Sequence, residues 1–342
     1  MKESYDLLFI TPCPSFYKVN LFNEVSNRKS VFVVFTQDNT ELRNEDFYDN
    51  KFLFRHCTIP HGHFDSIWRI LIVIIRTNYR QVVLDGWDIP ERLIIPFISR
   101  VKKNACIVES SIYERKTNNP LKTLLKRLFL KRISIAYCSG KAQEELVKSL
   151  GYRRKVVQFG GCGPLNYIKQ PQYEKRAFVR NFLYVGRLAT EKNLLFLIEV
   201  FNELPQFNLS IIGYGPQERE LKEMANENVF FVGAVPNKEL PRYYQKSDVF
   251  VLPSISEPWG LVVEEALNNG LPVIVSNRVG CKDDLVTPDT GLVFDYNDKS
   301  SLKNNISKIS DVDYYNRLRL GVSRLDFMSR SKRQVESFTS NV

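Results

Sequence analysis

A chain of 342 residues, 44% hydrophobic and 25% charged, is long enough for two domains that each bury a core and has an ordinary soluble globular composition. Its opening, MKESYDLLFITPCP, lacks an apolar signal-peptide core, and its longest aliphatic stretch, 70–75, falls far short of the roughly 20 residues a membrane span needs. Six cysteines scattered without any C-x-x-C read as reduced thiols of a cytoplasmic protein, and a net charge of +10 asks for an anionic partner. No zinc-finger spacing, aromatic RNA-binding strand or arginine-rich arm accompanies that charge, so no nucleic acid is expected. Phosphorylated substrates and an anionic membrane surface remain.

In chain order, short aliphatic runs alternate with helical patterns. Strands are predicted over 5–10, 31–35, 81–84, 105–108, 135–137 and 156–158, then over 182–185, 209–212, 229–232, 249–252, 272–275 and 292–294. Helices are predicted over 21–27, 67–77, 89–101, 121–131 and 142–150, then over 193–204, 218–225, 238–246, 261–269 and 302–309, with a final one near the frayed end. Such alternation argues for parallel, doubly wound sheets, and there are too many strands for one sheet. The break falls in GGCGPLNYIKQPQYEK, 160–175, whose glycines, prolines and polar residues suit a linker. The expected architecture is α/β, with two Rossmann-like doubly wound parallel-sheet domains facing a central cleft. They occupy residues 1–165 and 179–325, joined by a linker over 166–178 and followed by a C-terminal helix and tail over 326–342.

Ligands of open parallel sheets sit outside the carboxyl ends of the strands. In the second half, four consecutive strand ends carry glycine or proline breaks: GRLATEKN from Gly186, GYGP from Gly213, GAVP from Gly233 and PSISEPWG from Pro253. Within SEPWGLVVEEAL, Pro258 and Gly260 place a helix start between Glu257 and Glu265. Free N–H groups around Trp259, Gly260 and Leu261 then form an anion site. Arg187 and Lys192, at a separate strand end, supply the positive charge a diphosphate needs. The two carboxylates accept hydrogen bonds from hydroxyls, as on a ribose and a hexose. Together these pieces describe a site for a sugar nucleotide.

GRLATEKN, GYGP, SDVFVLPS, EPWGLVVEEA and NNGLPVIVS, in that order over 182–294, resemble glycosyltransferase family 4, of the GT-B fold. A weaker likeness runs through YKVNLFNEV, GWDIPERL, IVESSIYERK and CSGKAQEELVKSLG, so it covers nearly the whole chain. The resemblance implies retaining transfer of a sugar from a nucleotide-diphosphate sugar to a glycan acceptor, with no cofactor and no metal. Residue by residue, it implies that Arg187 and Lys192 hold the diphosphate, Glu265 binds ribose hydroxyls and Glu257 contacts the transferred sugar. Gly186 and the backbone around Trp259, Gly260 and Leu261 complete the donor site, with the base near Gly213, Tyr214 and Val235. Many members carry a His at the end of the strand over 105–108, where this chain has Glu109. Glu109 is expected to stabilise the cationic sugar, to contact the acceptor, or only to cap the next helix. Tyr17, Lys18 and Asn20, after the first strand, are expected on the acceptor side, with Asn23 beside them.

From 115 to 132 there are seven basic residues and no acidic one, with Leu121, Leu124, Leu125, Leu128 and Phe129 at helical spacing. Such a helix either lies on an anionic bilayer or packs its leucines on a core. With the net charge, it suggests a polyprenyl-diphosphate-linked acceptor, a precursor of capsule, O-antigen or exopolysaccharide, used at the inner face of a bacterial membrane. Other motifs carry less. Glu218 takes the third glycine's place after GYGP, which argues against a dinucleotide site. Asp311-Val312-Asp313 reads as a solvated helical face, and His61 with His63 as a loop. The competing classes are an epimerase or phosphorylase on the same fold and a non-catalytic sugar-nucleotide-binding subunit.

Overall fold

A computed structural model describes residues 3–36, 48, 51–62, 65–114, 119–163 and 170–342. His63, the first four residues of the basic stretch, 164–165 and 166–169 of the expected linker lie outside the described residues. The chain divides into two compact units: the described residues up to 163 with 328–342, and residues 170–327.

The first unit is built on a seven-stranded sheet of β1 (Ser4–Thr11), β2 (Val31–Phe35), β3 (Arg55–Thr58), β4 (Asn78–Asp85), β5 (Asn104–Val108), β6 (Ile135–Cys138) and β7 (Lys155–Gln158). The order is β3-β2-β1-β4-β5-β6-β7, parallel throughout. Alternate residues serve opposite faces, as the pleat requires. Leu8 and Ile10 pack with Val82, Leu84 and Cys106 on one face, under helices that contribute Ile70, Ile74, Phe129 and Leu146. Leu7 and Phe9 pack with Val33, Val83 and Ile107 on the other, against Val19 and Phe22 of helix Phe16–Ser26. The last helix, Phe327–Thr339, joins that second face: the Phe338 ring lies 5.8 Å from Phe9, 4.4 Å from Tyr137 and 5.3 Å from Phe159.

The second unit repeats the arrangement with β8 (Asn181–Val185), β9 (Asn208–Ile212), β10 (Val229–Gly233), β11 (Val249–Leu252), β12 (Val273–Ser276) and β13 (Gly291–Phe294). Its order is β10-β9-β8-β11-β12-β13, again all parallel. In both sheets the strand order reverses beside the first strand, between β1 and β4 and between β8 and β11. The crevice at such a reversal is where an open parallel sheet binds its ligands.

The twelve predicted strands are all present, and β3 is added at an edge. Its sequence, RHCT, is polar and mostly exposed, so no aliphatic run announces it. The helix predicted over 89–101 is broken into Pro90–Leu93, Ile95–Ile98 and a single 3-10 turn, Val101–Lys103. Pro96 has no N–H to continue a helical ladder, and its ring crowds the preceding turn. Helix Phe16–Ser26 begins five residues before its predicted start at 21, directly after Ser15. All six cysteines are free thiols, four of them buried. Among the described residues no helix is long and apolar enough to cross a membrane.

Candidate functional site

In the second unit the loops that leave β8, β9 and β10 are laced together by backbone. Gly186 donates to the Ile212 carbonyl at 3.0 Å, Gly213 to the Gly233 carbonyl at 2.9 Å, and Leu188 to the Tyr214 carbonyl at 2.9 Å. Gly213 holds φ at +136°, and a Cβ there would lie 1.8 Å from the Gly186 carbonyl oxygen. Only glycine permits both the conformation and the approach. Val235, expected beside the base, is buried, and Tyr214 is half-buried.

The β8 loop ends in a 3-10 turn, Thr190–Lys192, closed by Asn193 in the left-handed conformation at φ 59°. The Asn193 amide donates to the Pro253 and Tyr296 carbonyls at 3.2 and 2.9 Å, and the Ile255 N–H donates to the Glu191 carbonyl at 3.0 Å. These bonds tie the turn to the loop after β11. Lys192 Nζ consequently meets Glu257 Oε2 at 2.5 Å, both side chains mostly buried, while Ser254 Oγ donates to the same oxygen at 3.3 Å. Arg187 is half-exposed and pairs with Glu191 at 2.9 Å. Its carbonyl accepts from the Tyr184 hydroxyl at 2.8 Å, which fixes the backbone behind the guanidinium.

Glu257 is held from the other side as well. Its N–H donates to the Arg278 carbonyl at 3.2 Å, and its carbonyl accepts from Gly280 at 3.0 Å. Gly260, at φ 102°, turns the chain into helix Leu261–Asn268, so the helix starts where the sequence places it. First-turn N–H groups of a helix have no intrahelical acceptor, and the helix dipole favours negative charge there. The Trp259 side chain points inward and is buried, its indole N–H donating to Glu264 Oε2 at 3.1 Å. Trp259 thus bears on the site through its backbone. Glu265, the fifth helical residue, accepts from the Tyr244 hydroxyl at 2.9 Å. Burial pushes its carboxyl up to about 7, with the Tyr244 bond pulling the other way and the Glu264 charge adding to the rise.

The first unit carries a second cluster at its own strand-order reversal. Lys18 Nζ, on helix Phe16–Ser26, is buried and sits 3.0 Å from Asp85 Oδ2 at the end of β4. It also donates to Glu109 Oε1, just past β5. Thr11 Oγ1, the last residue of β1, donates to Asp85 Oδ2 at 2.6 Å. Burial alone would pull the Lys18 ammonium towards neutrality, but the two carboxylates hold it well above the usual lysine value. Burial raises the Glu109 carboxyl against the pull of Lys18. The Glu109 carboxylate is engaged by Lys18, while the Ser111 N–H is met by Glu114 at 2.7 Å. Tyr17 and Asn20, on the same helix as Lys18, are half-buried. The Tyr17 carbonyl lies so close to Gly163 that a Cβ there would come within 2.2 Å of it.

The structure therefore joins Lys192 to Glu257 and Lys18 to Glu109, places Arg187 on the loop that leads into the turn carrying Lys192, and pairs Glu265 with Tyr244. Sequence reasoning missed Asp85, Thr11, Glu191, Ser254 and Tyr244. Of these, Asp85 had a signal: a lone acid ending an aliphatic strand and followed by glycine, in VVLDGWD. Asp311 is a helix cap, accepting from the Tyr314 N–H at 2.8 Å, which agrees with the helical reading of that segment.

Comparison with known proteins matches residues 169–319 to the family described as glycosyl transferases group 1. The chain is 38% identical over 121 residues to sulfoquinovosyl transferase SQD2 of Arabidopsis thaliana, covering 34% of this chain and 24% of that protein. It is 31% identical over 135 residues to O-antigen chain mannosyltransferase B of Escherichia coli, covering 36% of this chain and 35% of that protein. These matches thus span well under two thirds of the relatives' own lengths. Among solved structures, Anabaena Alr3699/HepE in complex with UDP superposes with a TM-score of 0.72 at 14% identity, over 98% of this chain and 100% of that one. Two parallel Rossmann-like sheets and the likeness to HepE give the chain a GT-B fold, and residues 169–319 within it match the group 1 glycosyltransferase family.

Proposed function

We propose that the chain is a retaining, metal-independent glycosyltransferase that moves a sugar from a nucleotide-diphosphate sugar to a glycan acceptor. The observation that carries this reading is the Lys192–Glu257 pair, set between glycine-laced strand ends and a helix start. As the bond from sugar to diphosphate breaks, the sugar becomes cationic and the diphosphate gains negative charge. Arg187, Lys192 and the first-turn amides at Leu261 favour that anion more as it forms, which is the condition for lowering a barrier. With these cations in place, no metal is needed to neutralise the leaving group. Glu257, already anchored through its own backbone and Ser254, is released from Lys192 when the diphosphate takes the ammonium, and accepts a hydroxyl of the transferred sugar. Glu265 accepts a ribose hydroxyl, and Gly213, Tyr214 and Val235 form the base pocket. In the first unit, Glu109, the more exposed member of its cluster, contacts the acceptor, with buried Lys18 positioning it and Tyr17 and Asn20 on the same helix as Lys18.

The acceptor we infer is a polyprenyl-diphosphate-linked precursor of a bacterial surface polysaccharide, used at the inner face of the cell membrane. Two facts support it: the basic, leucine-bearing helix Pro120–Lys131, and the likeness to a protein named as an O-antigen mannosyltransferase. A thermal-shift screen against nucleoside diphosphates and sugar nucleotides, with and without EDTA, tests the donor half. A selective rise that survives EDTA and is lost in Lys192→Ala is expected. No rise with any nucleotide would move a non-catalytic role to the front, and turnover of the donor without an acceptor would favour an epimerase.

A further inference from the structure

Two helices of the first unit carry apolar side chains on both sides. Helix Ser66–Arg76 buries Ile70 and Ile74, yet Trp68 stands 67% exposed with Ile72 one turn beyond it. Helix Pro120–Lys131 buries Phe129 and Leu130, yet turns Leu121, 63% exposed, and Leu124, Leu125 and Leu128 outward at spacings of three and four. Between them Ile95 is buried and Phe97 exposed. The inward residues all belong to one cluster on one face of the seven-stranded sheet. Side-chain bonds join the elements in turn: Ser66 Oγ donates to Glu91 Oε1 at 2.6 Å, and Arg132 Nε donates to the Pro96 carbonyl at 3.0 Å. A single helical layer therefore presents an outward row of apolar side chains.

The charge on these helices is predominantly positive, and the exposed acids at their margin, Asp65 and Asp88, are paired with Arg69 and Arg92. Neither helix contains an acidic residue, and Arg69, Arg76, Lys122, Arg127 and Lys131 are exposed along them. Apolar ridges between cationic side chains match the headgroup and acyl boundary of an anionic bilayer, where tryptophan prefers to sit. A second copy of this chain is a poor occupant, since each copy carries +10.

We propose that this layer docks the chain on an anionic lipid bilayer, with Trp68 and the Leu121–Leu128 row entering the interface. The proposal rests on the membrane-displayed acceptor of the reading above and adds helix Ser66–Arg76, which no motif in the sequence pointed to. Docking at a surface lets an acceptor anchored in the same leaflet reach the first unit by lateral diffusion.

The chain has three tryptophans, of which Trp87 and Trp259 are buried, so Trp68 alone reports on this surface. The full chain is mixed at low salt with vesicles of phosphatidylcholine alone or of phosphatidylcholine with phosphatidylglycerol, then followed by flotation and tryptophan emission. Co-flotation and a blue shift with the anionic vesicles only, weakened by added salt, are expected. Trp68→Ala and Leu124→Ser should each weaken partitioning by on the order of tenfold, with melting temperature and nucleotide binding unchanged because both side chains are exposed. Absence of binding to anionic vesicles, or binding indifferent to both substitutions, overturns the proposal. So does self-association that shifts Trp68 emission without lipid. Loss of vesicle binding with nucleotide binding intact sinks docking alone, whereas vesicle binding without any nucleotide binding leaves docking in place and sinks the donor reading.

Discussion

The two units share a strand order and a place of reversal, yet they treat charge there in opposite ways. In the first unit a single lysine, Lys18, is enclosed by Asp85, Glu109 and Thr11 at the ends of β4, β5 and β1. In the second unit Arg187 and Lys192 sit on a turn, each matched to one carboxylate, and the neighbouring loops bring glycine backbones and a helix start instead of side chains. A buried, locally satisfied cluster fixes geometry. Cations on a loop, each with a single carboxylate partner, are the groups that the proposed donor diphosphate would engage. The same fold thus builds an enclosed ion cluster in one unit and a pair of loop cations in the other.

The sharpest way to break this contrast is Lys18→Met. It leaves buried Asp85 and partly buried Glu109 without their cation, and removing one partner of a buried pair costs about 3–5 kcal/mol. A denaturant titration should show that loss, while nucleotide binding in the second unit persists; an unchanged midpoint would mean the cluster does not stabilise the fold. Next is Lys192→Ala, expected to lower the transfer rate on the order of 10²–10³-fold, as removal of one preorganised charge donor does. Steady-state kinetics with a fixed acceptor read it, and a loss confined to KM would demote Lys192 to ground-state binding. Thr11→Val removes one hydrogen bond to a buried carboxylate and should cost about 1.5–3 kcal/mol, visible in the same titration.

The smallest effect concerns pH. Glu265 has a folded value of about 7 against an ordinary 4.5, so the folded chain holds a proton that the unfolded chain has released. Stability therefore falls as pH rises from about 4.5 through 7 and is flat beyond either end. A ribose hydroxyl donates to the ionised carboxylate, so sugar-nucleotide affinity should weaken as pH drops below about 7, by at most about tenfold per unit. Glu265→Gln should flatten both profiles. An affinity in the unmodified chain that is already flat across this range contradicts the hydroxyl-acceptor role.

How far the sequence carried this picture depends on the length scale of each signal. Parallel strands buried on both faces are continuous aliphatic runs, so VFVVF and VFVL announce themselves, whereas the edge strand RHCT does not. The interlocked loops of the second unit were legible because glycine marks where backbone approaches backbone, as Gly213 does against Gly186. Pairings were not: Lys18 and Glu109 are 91 residues apart, and Lys192 and Glu257 are 65. Proximity in sequence could suggest neither, and Asp85 and Tyr244 came into view only with their partners. The leucines of helix Pro120–Lys131 fit a core and a membrane equally by spacing; the fold leaves Leu121, Leu124, Leu125 and Leu128 exposed and buries Phe129.

Isothermal titration of a sugar nucleotide into the chain in EDTA, alongside Lys192→Ala, tests the anion site most directly. Saturable one-to-one binding without metal, weakened at least tenfold by the substitution, is the predicted result. Binding that requires a divalent cation, or that Lys192→Ala leaves unchanged, would contradict the assignment of the second unit's lysine and helix start as the diphosphate site.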